Sequence, residues 1–178
     1  MTDNILINWT KDSSSPRSYS FQYSKTLSGF LKRKGLWNSE GTAEMGKRKL
    51  RFMSSGKATM KLTVYDTTSD TEVGVLNFYW KDFQRSDLKL ANGSIFQFKS
   101  FSLFKGGWSW VKEGSPDEQL IFRVDSPLHR SGTIEYNAKD LSAEERDILM
   151  LLGLQLQHYL NTWLMTITFV IVGLFTSR

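Results

Sequence analysis

From Ile148 to Phe175 the chain runs 28 residues without an Asp, Glu, Lys or Arg. That stretch constrains the fold more than any other, because a helix built from it has no face to show to water. Ser142 followed three residues later by Glu145 forms a capping-box pattern, and Glu144 and Asp147 add acid where the helix dipole is positive. A helix is expected to start there. Ile148, Leu149, Met150, Leu151, Leu152, Leu154 and Leu156 then cover every side of it. A helix apolar all round is enclosed by protein or by lipid.

The preceding residues have a different period. From about Ser18 to Tyr136, apolar and polar residues alternate in short runs broken by turn residues, which predicts antiparallel strands. In "LKLANGSIFQF" the Asn92-Gly93 pair supplies the positive φ angles of a tight hairpin. "KATMKLTVYDTTSDTEVGVLNFYW" predicts a second hairpin, with Met60, Leu62 and Val64 inward and a polar tip at Asp66 to Asp70. "GWSWVKEGSPDEQLIFRV" predicts a third, turning at Gly114 to Asp117. Leu76-Asn77-Phe78 before Arg85-Ser86 is echoed by Leu120-Ile121-Phe122 before Arg130-Ser131, a weak repeat. Serial hairpins of this kind suggest a meander curling into a closed sheet, since closure removes exposed strand edges.

An all-β chain with short L-x-F and WxW-like strands, ending in "LSAEERDILMLLGLQLQHYL", resembles the tubby C-terminal-like superfamily. That superfamily includes the phospholipid scramblases and the plant LURP-one-related proteins. The resemblance covers roughly Ser18 to Leu160. It implies a twelve-stranded β-barrel with a hydrophobic C-terminal helix through its middle: residues 1–140 as barrel, and residues 141–178 as a helix that is core to about 160. A strand of six to eight residues at ~3.3 Å each encloses only part of a helix reaching Phe175. The overhang is therefore expected to enter a membrane, or to pack in an oligomer or a partner. Tyr159 and Trp163 would lie like interfacial aromatics, with Phe169 and Phe175 further along. Gln155, His158, Thr162 and Thr166 fall along one helical face, which in a membrane marks helix association or a wet lumen; hydrogen bonding to barrel backbone is the other reading.

Charge singles out a second stretch, "LSGFLKRKGLWNSE". Between Lys25 and Arg51 stand eight Lys or Arg against Glu40 and Glu44, in a chain whose net charge is +5. Phe30, Leu31 and Trp37 flank Lys32, Arg33 and Lys34, which are read as a basic loop between strands. Apolar anchors beside clustered cations suit an anionic bilayer surface. Lys47, Arg48, Lys49 and Arg51 would extend the patch if the next hairpin lay alongside. The alternative is a solvated connection whose apolar residues point into the core. Phosphoinositide binding by tubby proteins is what the resemblance adds.

Other chemistries find little support. Phe96, Phe98, Trp108 and Trp110 interleave with cations, as in base-stacking proteins, but their alternation assigns them to the core, and nucleic acid is not the expected partner. There is no cysteine, and the two histidines, His129 and His158, belong to no catalytic or metal-ligand spacing. No cofactor is expected, and Asp66, Asp70 and Glu72 read as a soluble turn. The N-terminus lacks a secretory leader pattern. The expectation is a non-enzymatic β-barrel at the cytoplasmic face of a membrane, binding anionic lipid or anchoring a partner. The alternative is an oligomeric pore or lipid-translocating assembly of C-terminal helices.

Overall fold

The computed structural model describes residues 4–12, 15, 18–22, 28–34, 40–55, 61–79, 85–100, 107–125, 131–137 and 141–156. These form twelve strands: β1 Asn4–Lys11, β2 Ser18–Gln22, β3 Ser28–Arg33, β4 Gly41–Met45, β5 Arg48–Ser55, β6 Lys61–Asp66, β7 Thr71–Phe78, β8 Arg85–Leu90, β9 Ile95–Ser100, β10 Gly107–Lys112, β11 Glu118–Val124 and β12 Ser131–Asn137. A helix, α1, follows and is described over residues 143–156. Each strand pairs antiparallel with its sequence neighbours, and β1 pairs with β12, so the sheet closes into a barrel. One strand lies outside the alternating region expected from sequence: β1, in which Ile7 and Trp9 point inward.

Period-two alternation dictates the wall. On β5 Leu50 and Phe52 are buried, while Lys49 before them and Met53 after them face out. The predicted hairpins form at Asn92-Gly93, at Asp66 to Asp70 and at Gly114 to Asp117, with Gly93 and Gly114 at positive φ. Phe96, Phe98, Trp108 and Trp110 are core residues, and Trp110 makes an edge contact with Phe98 at 5.3 Å. The repeated L-x-F segments fall on β7 and β11, but in a twelve-stranded meander every hairpin shares that geometry.

Twelve strands enclose more space than their own side chains fill, and α1 occupies it. Trp110 on β10 donates its indole Nε1–H to the Leu149 carbonyl at 3.0 Å, while Gln155 reaches Gly41 on β4. In a ring of twelve, β4 and β10 stand opposite each other, so an element touching both lies between them. Every residue from Ile148 to Leu156 is buried. The fourteen residues 143–156 give ~21 Å of helix, close to the height of a wall of six- to eight-residue strands.

The helix start is fixed as the sequence predicts. Glu145 N–H donates to Ser142 Oγ at 3.2 Å, and Ser142 N–H donates to Glu145 Oε2 at 2.9 Å. Glu145 also accepts from Ser94 Oγ at 2.7 Å and from Lys112 Nζ at 3.1 Å, which ties α1 to the β8–β9 turn and to β10. Burial, the largest single influence, pushes its carboxyl up. The hydrogen bonds from Ser94, Ser142 and Lys112 together outweigh it and hold the group at about 2.

Candidate functional site at the mouth of the barrel

The two ends of the barrel differ. At one, hereafter the turn end, connections of two to five residues close the hairpins and α1 enters. At the other, the mouth, the connections are five to seven residues long, and the described part of α1 ends against β3 and β4. On the mouth side β4 begins at Gly41, opposite Phe52, while β5 continues to Ser55. Met53, Ser54 and Ser55 thus lack a β4 partner, which leaves a notch in the wall.

The notch is a cleft of about 320 Å³ lined by Lys32, Arg33, Lys34, Arg51, Glu40 and Met53 among others. Four cations and one carboxylate line it. Lys34 pairs with Glu40 at 3.3 Å but stays 77% exposed, so the pair holds it weakly. Arg51 stacks over the Tyr65 ring at 5.2 Å and meets Asp70 at 2.9 Å. Among the described residues Lys32 has no ion pair. Met53 is exposed within the cleft, and Phe30 is exposed two residues along β3 from Lys32.

Part of the expected site changes character. Phe30 to Arg33 belong to β3 rather than to a loop, and alternation sends them to opposite sides of the wall. Leu31 is fully buried and Arg33 is 4% exposed, so Leu31 is a core residue and no membrane anchor. Arg33 forms the floor of the cleft. Beside it Tyr19 is pushed up to about 12 by burial, which the Arg33 guanidinium only partly offsets. Lys47, Arg48 and Lys49 do not extend the patch. They sit toward the turn end, roughly 13–20 Å along the chain from Met53, where Arg48 pairs with Asp66 and Glu144, and Lys49 with Glu44. Trp37 lies outside the described residues.

The polar stripe is also divided. Gln155 is 1% exposed within the lumen, its Oε1 packed against Gly41, so it faces the barrel wall and neither lipid nor a neighbouring helix. His158, Tyr159, Thr162, Trp163, Thr166, Phe169 and Phe175 lie outside the described residues. Among the described residues no helix is long and apolar enough to cross a membrane, and no group of three His, Asp or Glu could hold a metal ion. Asp66 is committed locally: Oδ1 accepts from Thr68 N–H at 2.8 Å, and Oδ2 takes Arg48 at 3.3 Å.

Sequence reasoning missed Thr42 and Met53, which also line the cleft, because the notch follows from where β4 begins against β5. No residue pattern signals that register; only the outward phase of Met53 after Phe52 was available. No family model, curated protein or solved structure matches the chain.

Proposed function

We propose that this protein is a non-enzymatic, tubby-like barrel that binds the anionic headgroups of a lipid bilayer at the β3–β4–β5 cleft. The observation that carries the reading is the grouping of Lys32, Arg33, Lys34 and Arg51 around one notch, with Glu40 the one carboxylate among its lining residues, Asp70 paired with Arg51 from outside it, and Met53 exposed at its edge. A phosphate entering the notch meets flexible ammonium groups at the rim and a guanidinium at the floor, the donor set suited to phosphate oxygens. Phe30 and Met53 supply apolar contacts for the acyl boundary.

The test is sedimentation with phosphatidylserine-containing vesicles across a salt series. Each Lys near an anionic surface contributes ~1 kcal/mol, so the double variant Lys32→Glu/Lys34→Glu, which leaves buried Arg33 in place, is expected to lose at least about tenfold in affinity. It should also show a flatter salt dependence while keeping the parent's melting temperature. A parent that stays in the supernatant at low salt would refute the reading.

A further inference from the structure

We infer that the barrel docks end-on, with the whole mouth, rather than one side of the wall, facing an anionic bilayer. This rests on the lipid-binding reading above and adds the orientation.

Charge is separated along the barrel axis. Asp66, Asp70, Glu72, Glu113, Asp117 and Glu118 occupy two turns and their flanks at the turn end. Of the cations at that end among the described residues, Arg48, Lys49, Lys112 and Arg146 are each ion-paired with a carboxylate of the same end, while Lys47 and Lys89 are exposed without one and are outnumbered by the acids. At the mouth the order reverses: Lys11, Lys32, Lys34, Lys61, Lys99 and Arg123 lie in the final or first residues of their strands or just past them. Among the described residues there, Asp12, Glu40, Asp87 and Asp125 oppose them, Lys34 pairs with Glu40, and Arg123 reaches Glu135 on β12 at 3.5 Å. These cations ring the barrel. Lys32 is on β3 and Lys99 on β9, six strands apart and so on opposite sides.

A ring of charge facing one way favours a flat partner of opposite sign. Side-on docking through the notch would leave Lys99 and Arg123 pointing away from the surface. End-on docking brings all of them near it, and places the acids of the turn end ~20 Å away, beyond two screening lengths at physiological salt. The acids then do not oppose binding.

The course of the chain agrees. The helix enters at the turn end, and its described part stops at the mouth with Gln155 against Gly41. In sequence the 22 residues after Leu156 carry no charge until Arg178. The segments that join strands at the mouth lie outside the described residues; in sequence they contain Trp37, Trp80, Phe101 and Phe104. A bilayer is the occupant that takes a cationic ring and an uncharged 17-residue stretch, 159–175, together.

Because the chain has no cysteine, single-cysteine variants can carry a polarity-sensitive fluorophore at one chosen place. Ser55→Cys and Asp125→Cys report on the mouth, Thr68→Cys and Ala91→Cys on the turn end. With phosphatidylserine vesicles, both mouth labels should shift to the blue and be quenched by brominated lipid, and neither turn-end label should respond. In parallel, Lys99→Glu/Arg123→Glu should lose about tenfold in vesicle affinity, as expected when two cations leave the contact, with an unchanged thermal melt. Unchanged affinity in that variant, with affinity lost in Lys32→Glu/Lys34→Glu, would overturn end-on docking and leave the cleft reading standing. A response from the turn-end labels would also overturn it. A parent that does not sediment with the vesicles would overturn both.

Discussion

Replacing Gly153 with alanine tests the enclosure of α1 directly, because local and tertiary physics predict opposite signs. In a helix interior alanine is favoured over glycine by about 1 kcal/mol, so on a free face the change would stabilise the protein. Here the added methyl would meet the Phe122 ring, with Cε2 at 2.5 Å and Cε1 at 3.2 Å. The ring cannot easily retreat, since it is fully buried and stacked on Trp108 at 4.8 Å and 15°. Nor is the helix free to retreat, because Trp110 holds the Leu149 carbonyl one turn earlier. Overpacking of this kind costs ~1–3 kcal/mol. The severity of the contact places it in the upper part of that range, for a net loss of ~1–2 kcal/mol. For a chain of this size the melting temperature should fall by about 2–8 °C. Urea denaturation gives the free energy, and the double variant Gly153→Ala/Phe122→Leu should cost less than the two single changes together, since the smaller side chain makes room for the methyl. A Gly153→Ala protein more stable than the parent would refute the seating of α1 against β11, and with it the account of how the lumen is filled.

Glu145, held at about 2 instead of the ordinary 4.5, contributes stability that is fully present above pH 4.5 and is lost as pH falls toward 2, at most about 3 kcal/mol. Glu145→Gln should therefore be less stable at neutral pH and show a flatter loss through that window in urea titrations; a slope equal to the parent's would remove the carboxylate from the network. Lys32→Gln/Lys34→Gln should melt with the parent, whereas adding Arg33→Gln should lower the melting temperature, because only that side chain is buried; equal melts for both variants would show that Arg33 lies outside the lumen. Deleting residues 163–178 should leave a folded, soluble β-protein by circular dichroism, since the described lumen is filled by Ile148 to Leu156; an unfolded product would show that those residues belong to the core.

Features that depend on neighbouring residues in sequence were readable in advance. The capping box, the Asn92-Gly93 turn and the outward tip at Asp66 to Asp70 are set within four or five residues, where chain connectivity limits the alternatives. The burial of α1 was readable for a different reason, because an all-round apolar helix has so few places to go. Arg33 was misread because three consecutive cations between Gly29 and Gly35 look like a loop, although counting by twos from Leu31 would have turned it inward. The β1 strand was missed even though Ile5, Ile7 and Trp9 alternate plainly. The separation of Lys47 to Lys49 from Lys32 and Lys34 could not be read at all. Strand direction reverses between them, so residues fifteen apart in sequence come to lie at opposite ends of the barrel.

The seam between β1 and β12, with the filling helix placed after both, also sets an order of assembly. As the chain leaves the ribosome, the hairpins can pair in turn, but the first strand waits for the last, and the inward-facing Trp9, Phe52, Phe98 and Leu120 wait longer still for Ile148 to Leu156. Contacts this distant in sequence slow folding. Until residue 156 has emerged, the strands form an open sheet with an uncovered aromatic face and two free edges, the kind of intermediate that aggregates or is held by chaperones. A premature stop anywhere before α1 would strand the chain in that state, so in this design a helix made after all twelve strands decides whether they become a folded protein.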